Sequence, residues 1–169
     1  MKIPILESKI IEAAQKGNAA FLDVIGNRIL QEVGGELNSD ALNLLNFKQV
    51  TLIGYNILRK EVLEGGFVQL IYNGYGPLFF RNPFAKALRA FGIIELSKDM
   101  YDIRRIYDLK KMDLERECVG DEEFMALYEQ YPEFDEYDDH FVENEESYTS
   151  LMAHYVDEHL NEFVEVIKA

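Results

Sequence analysis

Tryptophan is absent from this 169-residue chain, cysteine occurs once, and proline only four times. A single cysteine, Cys118, excludes a disulfide within the chain and suits a reducing compartment. No His stands near it in sequence, so it reads as an incidental thiol rather than a nucleophile. Long apolar runs are also missing. No window approaches the ~18 apolar residues of a membrane span. The opening MKIPILESKI is interrupted at Pro4 and Glu7 and lacks the pattern of a secretory leader. A cytoplasmic, soluble protein is the expectation. The motifs of phosphate loops and dinucleotide folds do not occur, and no Ser sits in a nucleophile elbow. One further absence matters most: no Lys or Arg stands between Arg116 and Lys168.

What is present begins with helical periodicity. Leu22, Ile25, Ile29 and Val33 recur at helical steps until Gly34-Gly35 stops them. Asn38-Ser39-Asp40 offers caps for a long second pattern through Leu44, Phe47, Thr51, Tyr55, Leu58 and Val62, which Gly65-Gly66 is expected to end. The short apolar run Phe67 to Tyr72 suits helix or buried strand, and its neighbours favour helix. Asn73-Gly74 and Gly76-Pro77 are turn dipeptides, and Asn82-Pro83 opens another helix. Leu96, Met100, Ile103 and Tyr107 form the next stripe, opposite a face with Lys98, Arg104, Arg105, Lys110 and Lys111 among Asp99, Asp102 and Asp108. That basic face is expected to pair with the acidic third or across a dimer rather than to bind nucleic acid. Phe134, Tyr137, Phe141, Tyr148, Met152 and Tyr155 give a last helix. These readings predict an all-α protein, a single multi-helix domain over residues 1–169, with a Gly- and aromatic-rich segment at its centre.

Charge divides unevenly. Residues 1–112 carry 15 basic and 12 acidic side chains, whereas residues 113–169 carry 2 and 19. A disordered acidic tail would lack the aromatics that this segment offers for burial. With Asp135 set to 0° and about 100° per residue, Asp135, Glu136, Asp138, Asp139, Glu143, Glu145 and Glu146 fall within roughly 180°. Phe134, Tyr137, Phe141 and Tyr148 lie opposite. The expectation is a solvent-facing acidic ridge whose charges repel one another without local relief. A solvated face is the bland reading of any such run.

Metal chemistry fits poorly. Asp135-Glu136-Tyr137-Asp138-Asp139 lacks the glycine and alternating ligands of a calcium loop. His154 and His159 are five apart, so on a helix their rings diverge by about 140°. No metal, no other cofactor and no catalytic group is expected. His140, between Asp139 and Phe141, is read as a surface histidine that a neighbouring carboxylate can make pH-sensitive.

The run Glu61-x-x-x-Gly65-Gly66-Phe67-x-Gln69, followed by Asn73 and Gly76, resembles the signature of the bacterial DNA-mimic protein family. The later segments Ala87-Leu88 and Phe91-Gly92-Ile93, and the ending His154 to Phe163, are similar as well, so the likeness covers roughly residues 40–165. Glu64 stands where that family often has Asn, and Leu70-Ile71 where aromatics are commoner. The resemblance implies an all-α fold and a protein without assigned enzymatic activity. It also implies an acidic surface that occupies the DNA-binding face of a basic partner such as a transcriptional regulator, and a homodimer. Glu61, Gly65, Gly66, Phe67, Gln69, Asn73 and Gly76 are read as structural, with Gln and Asn satisfying backbone or neighbouring groups. Two other readings stay open: an immunity or antitoxin-like protein neutralising a basic toxin, and an enzyme with its site beside Glu61, Gln69 and Asn73.

Overall fold

The computed structural model describes residues 1–115 and 120–169, with Leu127 by its backbone only; Cys118 lies outside the described residues. The fold is all-α. A short strand β1 (Pro4–Leu6) leads into α1 (Glu7–Lys16) and α2 (Asn18–Glu32). After α3 (Ser39–Leu44) comes the long α4 (Phe47–Leu70), continued by a π-helical turn (Ile71–Tyr75) and α5 (Gly76–Phe80). Then follow α6 (Phe84–Ala90), α7 (Ile94–Leu114), α8 (Asp121–Gln130) and α9 (Asp135–Glu158). The chain closes on β2 (Glu165–Ile167), which pairs in parallel with β1, Pro4 opposite Glu165.

Helix α4 is the axis. It packs against α2, α6 and α9, while α7 covers α5 and α6 and reaches α9. The shared core is built from Leu22, Ile25 and Ile29 of α2, Leu52, Tyr55 and Leu58 of α4, Met100 and Ile103 of α7, and Phe141, Met152 and Val156 of α9. Burying a side chain of this size removes about 1.5–3 kcal/mol of unfavourable hydration. The helix stripes of the sequence therefore supply most of what holds the molecule together.

Three local expectations change. The Leu44–Val62 pattern is not one helix. Leu45 leaves helical geometry, and Asn46 starts α4 by a reciprocal cap. Its Oδ1 accepts from Gln49 N at 2.9 Å and Gln49 Oε1 accepts from Asn46 N at 3.0 Å. Leu44 and Phe47, which flank the break, are exposed rather than buried. Second, Gly65-Gly66 does not end α4 but kinks it. Gly65 (φ −154°, ψ 16°) and Gly66 (φ 75°, ψ −175°) leave helical geometry and the helix resumes at Phe67. Third, three of the cations of α7 pair with that helix's own acids, Lys98 with Glu95, Arg105 with Asp102, and Arg104 with Asp108, which Arg81 also meets at 2.6 Å, while Lys110 lies over the Tyr131 ring. Residues one turn apart reach each other more cheaply than residues on a distant helix.

The ends are stitched to the same axis. Gln49 Nε2 donates to the Phe163 carbonyl at 2.8 Å and Asn46 Nδ2 to that of Glu162 at 3.0 Å. The helix break before α4 is thus also the seat of the C-terminal segment.

Candidate functional site

Helix α9 carries the acids, and its packing decides which of them face water. Phe134, Phe141, Tyr148 and Met152 are buried against the core, so the helix has one fixed inward side. Asp135, Glu136, Asp139, Glu143 and Glu146 are exposed. Among the described residues, none of these five side chains makes a hydrogen bond or an ion pair. On the helical wheel they occupy about 100°. Helix α8 adds the exposed Asp121, Glu122 and Glu129, and Glu133 follows in the turn.

The sequence reading that placed seven acids on one solvent-facing ridge is corrected at two positions. Asp138 is buried, with 8% of its surface exposed. Glu145 is largely covered and pairs with Arg59 Nε at 2.5 Å. The reason is geometric. Both lie at the edge of the 180° arc, at about 280–300°, where the helix already turns towards α4. A signal for this was present: Asp138, Glu145 and Met152 are spaced by sevens, and Met152 is fully buried.

Each inward acid has a defined partner. Glu145 Oε1 also accepts from Thr149 Oγ1 at 2.8 Å, and Thr149 shares a 2.8 Å hydrogen bond with the Tyr55 hydroxyl. Asp138 Oδ1 accepts from the Phe67 backbone N–H at 2.8 Å, the first residue after the α4 kink. Tyr128 of α8 reaches its other oxygen at 3.5 Å. Burial pushes the Asp138 carboxyl up to about 6, and the nearby charges of Asp135 and Asp139 push the same way. The Phe67 N–H and the Tyr128 hydroxyl oppose that shift, since they favour the anion.

The signature residues meet this arrangement from the α4 side. A Cβ on Gly66 would lie 2.5 Å from Asp138 Oδ2, so only glycine leaves room for the carboxylate. Gly66 also has a positive φ, which other residues adopt at a cost. A Cβ on Gly65 would collide with Gln69 Oε1 at 2.0 Å, and one on Gly76 with the Tyr107 ring at 2.6 Å. Glu61 is buried, and its Oε2 accepts from Gln69 Nε2 at 2.9 Å and from Asn73 Nδ2 at 2.8 Å. This cluster braces the kink and the π-helical turn from within. Its polar atoms are engaged with one another.

Histidines fall into local roles. His140 Nδ1 contacts Asp99 of α7, whose carboxyl burial holds above the usual range against the pull of the imidazole. His154 lies 3.3 Å from Glu158, and His159 Nδ1 contacts the Tyr155 carbonyl while its ring stacks on Tyr155. Among the described residues, no group of three or more His, Cys, Asp or Glu side chains is placed to hold a metal ion. No helix there is long and apolar enough to cross a membrane.

Arg59, Thr149 and Tyr128 are the contributors that sequence reasoning missed. Each acts through a partner dozens of positions away or on another helix, beyond the reach of any local pattern. A family model described as DMP19-like protein matches residues 43–159, from the end of α3 through α9. A protein of Neisseria meningitidis serogroup B (strain ATCC BAA-335 / MC58), named DNA mimic protein DMP19, is 32% identical over 155 residues. The match covers 92% of this chain and 93% of that protein. With the double-glycine signature, its carboxylate partner and the acidic helix all inside the matched span, the chain belongs to the DMP19-like protein family.

Proposed function

We propose that this chain is a non-enzymatic DNA mimic, acting in the cytoplasm, whose acidic face occupies the DNA-binding surface of a basic protein. The observation that carries the reading is the set of five outward, unneutralised carboxylates on α9. Asp135 to Glu146 is twelve residues, so at ~1.5 Å per residue the five charges average one per about 3.6 Å of axis. A single DNA strand carries one phosphate per about 3.4 Å. The seven-acid count would have implied one per roughly 2.6 Å; removing the two inward acids brings the spacing closer to that of a strand. The DNA mimic name of the relative supports the same reading.

The mechanism is competitive occlusion. An ordered row of carboxylates on a rigid helix attracts a basic groove over long range and then fills it. A DNA-binding transcriptional regulator is the partner class this fits, and a homodimer would present two such rows. The test is capture from native lysate at low and high salt, with the parent and with D135K/D139K/E143K/E146K. The parent should retain a DNA-binding protein at low salt and release it at high salt, and the variant should retain none. Equal capture by both proteins would overturn the reading. Capture of a toxin encoded beside this gene would move the protein to the immunity class. Light scattering of the purified chain checks the dimer.

A further inference from the structure

Asp138 sits among the acids of the proposed face yet points away from it. Its carboxylate enters the gap that Gly66 leaves and receives the first N–H of the resumed helix at Phe67. This is the geometry of an N-cap, but the capping side chain comes from another helix seventy-one residues on. A helix start has free N–H groups and a partial positive charge, so a carboxylate there is held by hydrogen bonding and by the helix dipole together. The contact joins the bend of α4 to α9, on the inward side that buried Phe134, Phe141, Tyr148 and Met152 already mark.

We propose that Asp138 is the positioning residue of the acidic face: by capping α4 at Phe67 it locks α9 in the rotation that its buried side chains favour and so holds Asp135, Asp139, Glu143 and Glu146 outward. The double glycine is then one half of a two-part clamp whose other half is this aspartate. Glu145 on Arg59, two turns further along α9, is a second anchor on the same side. Together they define a line of attachment, and the outward carboxylates are those left on the far side of it. The groups facing Asp138 are Asp135 and Asp139 from its own helix, Tyr128 from α8 and the Phe67 N–H from α4. The proposal rests on the mimic reading only in calling this face the working one.

The experiment compares D138A with D138N. Both remove the same charge, but asparagine keeps an oxygen to accept from Phe67. Two readouts report geometry directly: exchange of the Phe67 amide, and the distance between spin labels at Glu143→Cys and Leu63→Cys in a C118S background. D138N should keep Phe67 protection and a narrow distance distribution. D138A should lose Phe67 protection by about 10-fold or more and broaden the distribution. If D138A matches the parent in both readouts, or if D138N fails as badly as D138A, the clamp is not what positions the helix. Should D138A fail to fold, the Phe67 amide nitrogen shift of the parent serves instead. It should titrate in mildly acidic solution and stay flat in D138N, and a flat parent overturns the proposal. Neither readout involves a partner, so failure of the clamp and failure of the mimic reading are distinguishable.

Discussion

Helices α7 and α9 are alike in length and in charge content, and opposite in how they handle it. Helix α7 places Lys98 beside Glu95, Arg105 beside Asp102 and Arg104 beside Asp108. These six charges solvate a surface and cancel within one turn. Helix α9 has no cation to offer on its outward side, and the only two of the seven acids that find compensation are the two turned inward, Asp138 and Glu145. Folding alone would favour the α7 arrangement, since like charges at helical spacing cost about 0.2–0.5 kcal/mol per pair. The difference teaches that the number of charges is the wrong quantity to read. Whether a charge is cancelled locally, anchored, or left free separates a surface that is merely soluble from one that exerts a field.

Experiments can break this contrast, beginning with the largest effect. Giving α9 what α7 has, through D135K/D139K/E143K/E146K, should lower capture of the basic partner by about 100-fold at low salt while the helical circular dichroism signal stays. Loosening the seat of α9 comes next. Gly66→Ala meets the Asp138 carboxylate and a positive φ together, and urea denaturation should show a loss of about 2–4 kcal/mol. Gly92→Ala, at a positive φ with open space around it, should lose only about 1 kcal/mol. The gap between these two variants measures the collision itself.

Acidity sharpens the comparison further. Asp138 titrates at about 6 in the fold against 3.8 for a free carboxyl. A carboxyl raised in this way favours the fold while protonated. The advantage is complete below 3.8 and is lost as pH rises through about 6, up to about 3 kcal/mol. Stability measured by urea from pH 4 to 7 should therefore fall more in the parent than in D138N, which should be the more stable of the two at pH 7. Arg59→Ala strands Glu145 in its part-buried site and should cost about 1–3 kcal/mol. At the small end, Lys98→Ala or Arg105→Ala on α7 should stay within about 0.5 kcal/mol of the parent.

Much of this architecture was legible in advance where the cause is local. The stripe of α2 and its stop at Gly34-Gly35, the Asn82-Pro83 turn before α6 and the aromatic seam of α9 follow from periodicity and turn chemistry alone. The break between α3 and α4 was missed because Leu44 and Phe47 continue the spacing across it, and only the Asn46–Gln49 cap reveals the new start. Gly65-Gly66 was recognisable as an interruption but not as a kink. What lets the helix resume is a carboxylate contributed by α9, and no local window contains both. The same non-locality hid the inward acids. An acidic helix read by itself has an outer face and an inner face, but where the boundary falls depends on the neighbour it packs against.

The parallel pairing of β1 with β2 gives the molecule a clasp, and a clasp imposes an order of events. Pro4 has no strand partner until Glu165 has been synthesised, so a growing chain can form its early helices while its first strand stays open. Closure brings β1 beside the segment that follows α9 and, through Gln49 and Asn46, onto the start of α4. The segment that follows the acidic helix is thus held twice, by strand pairing with β1 and by the start of α4.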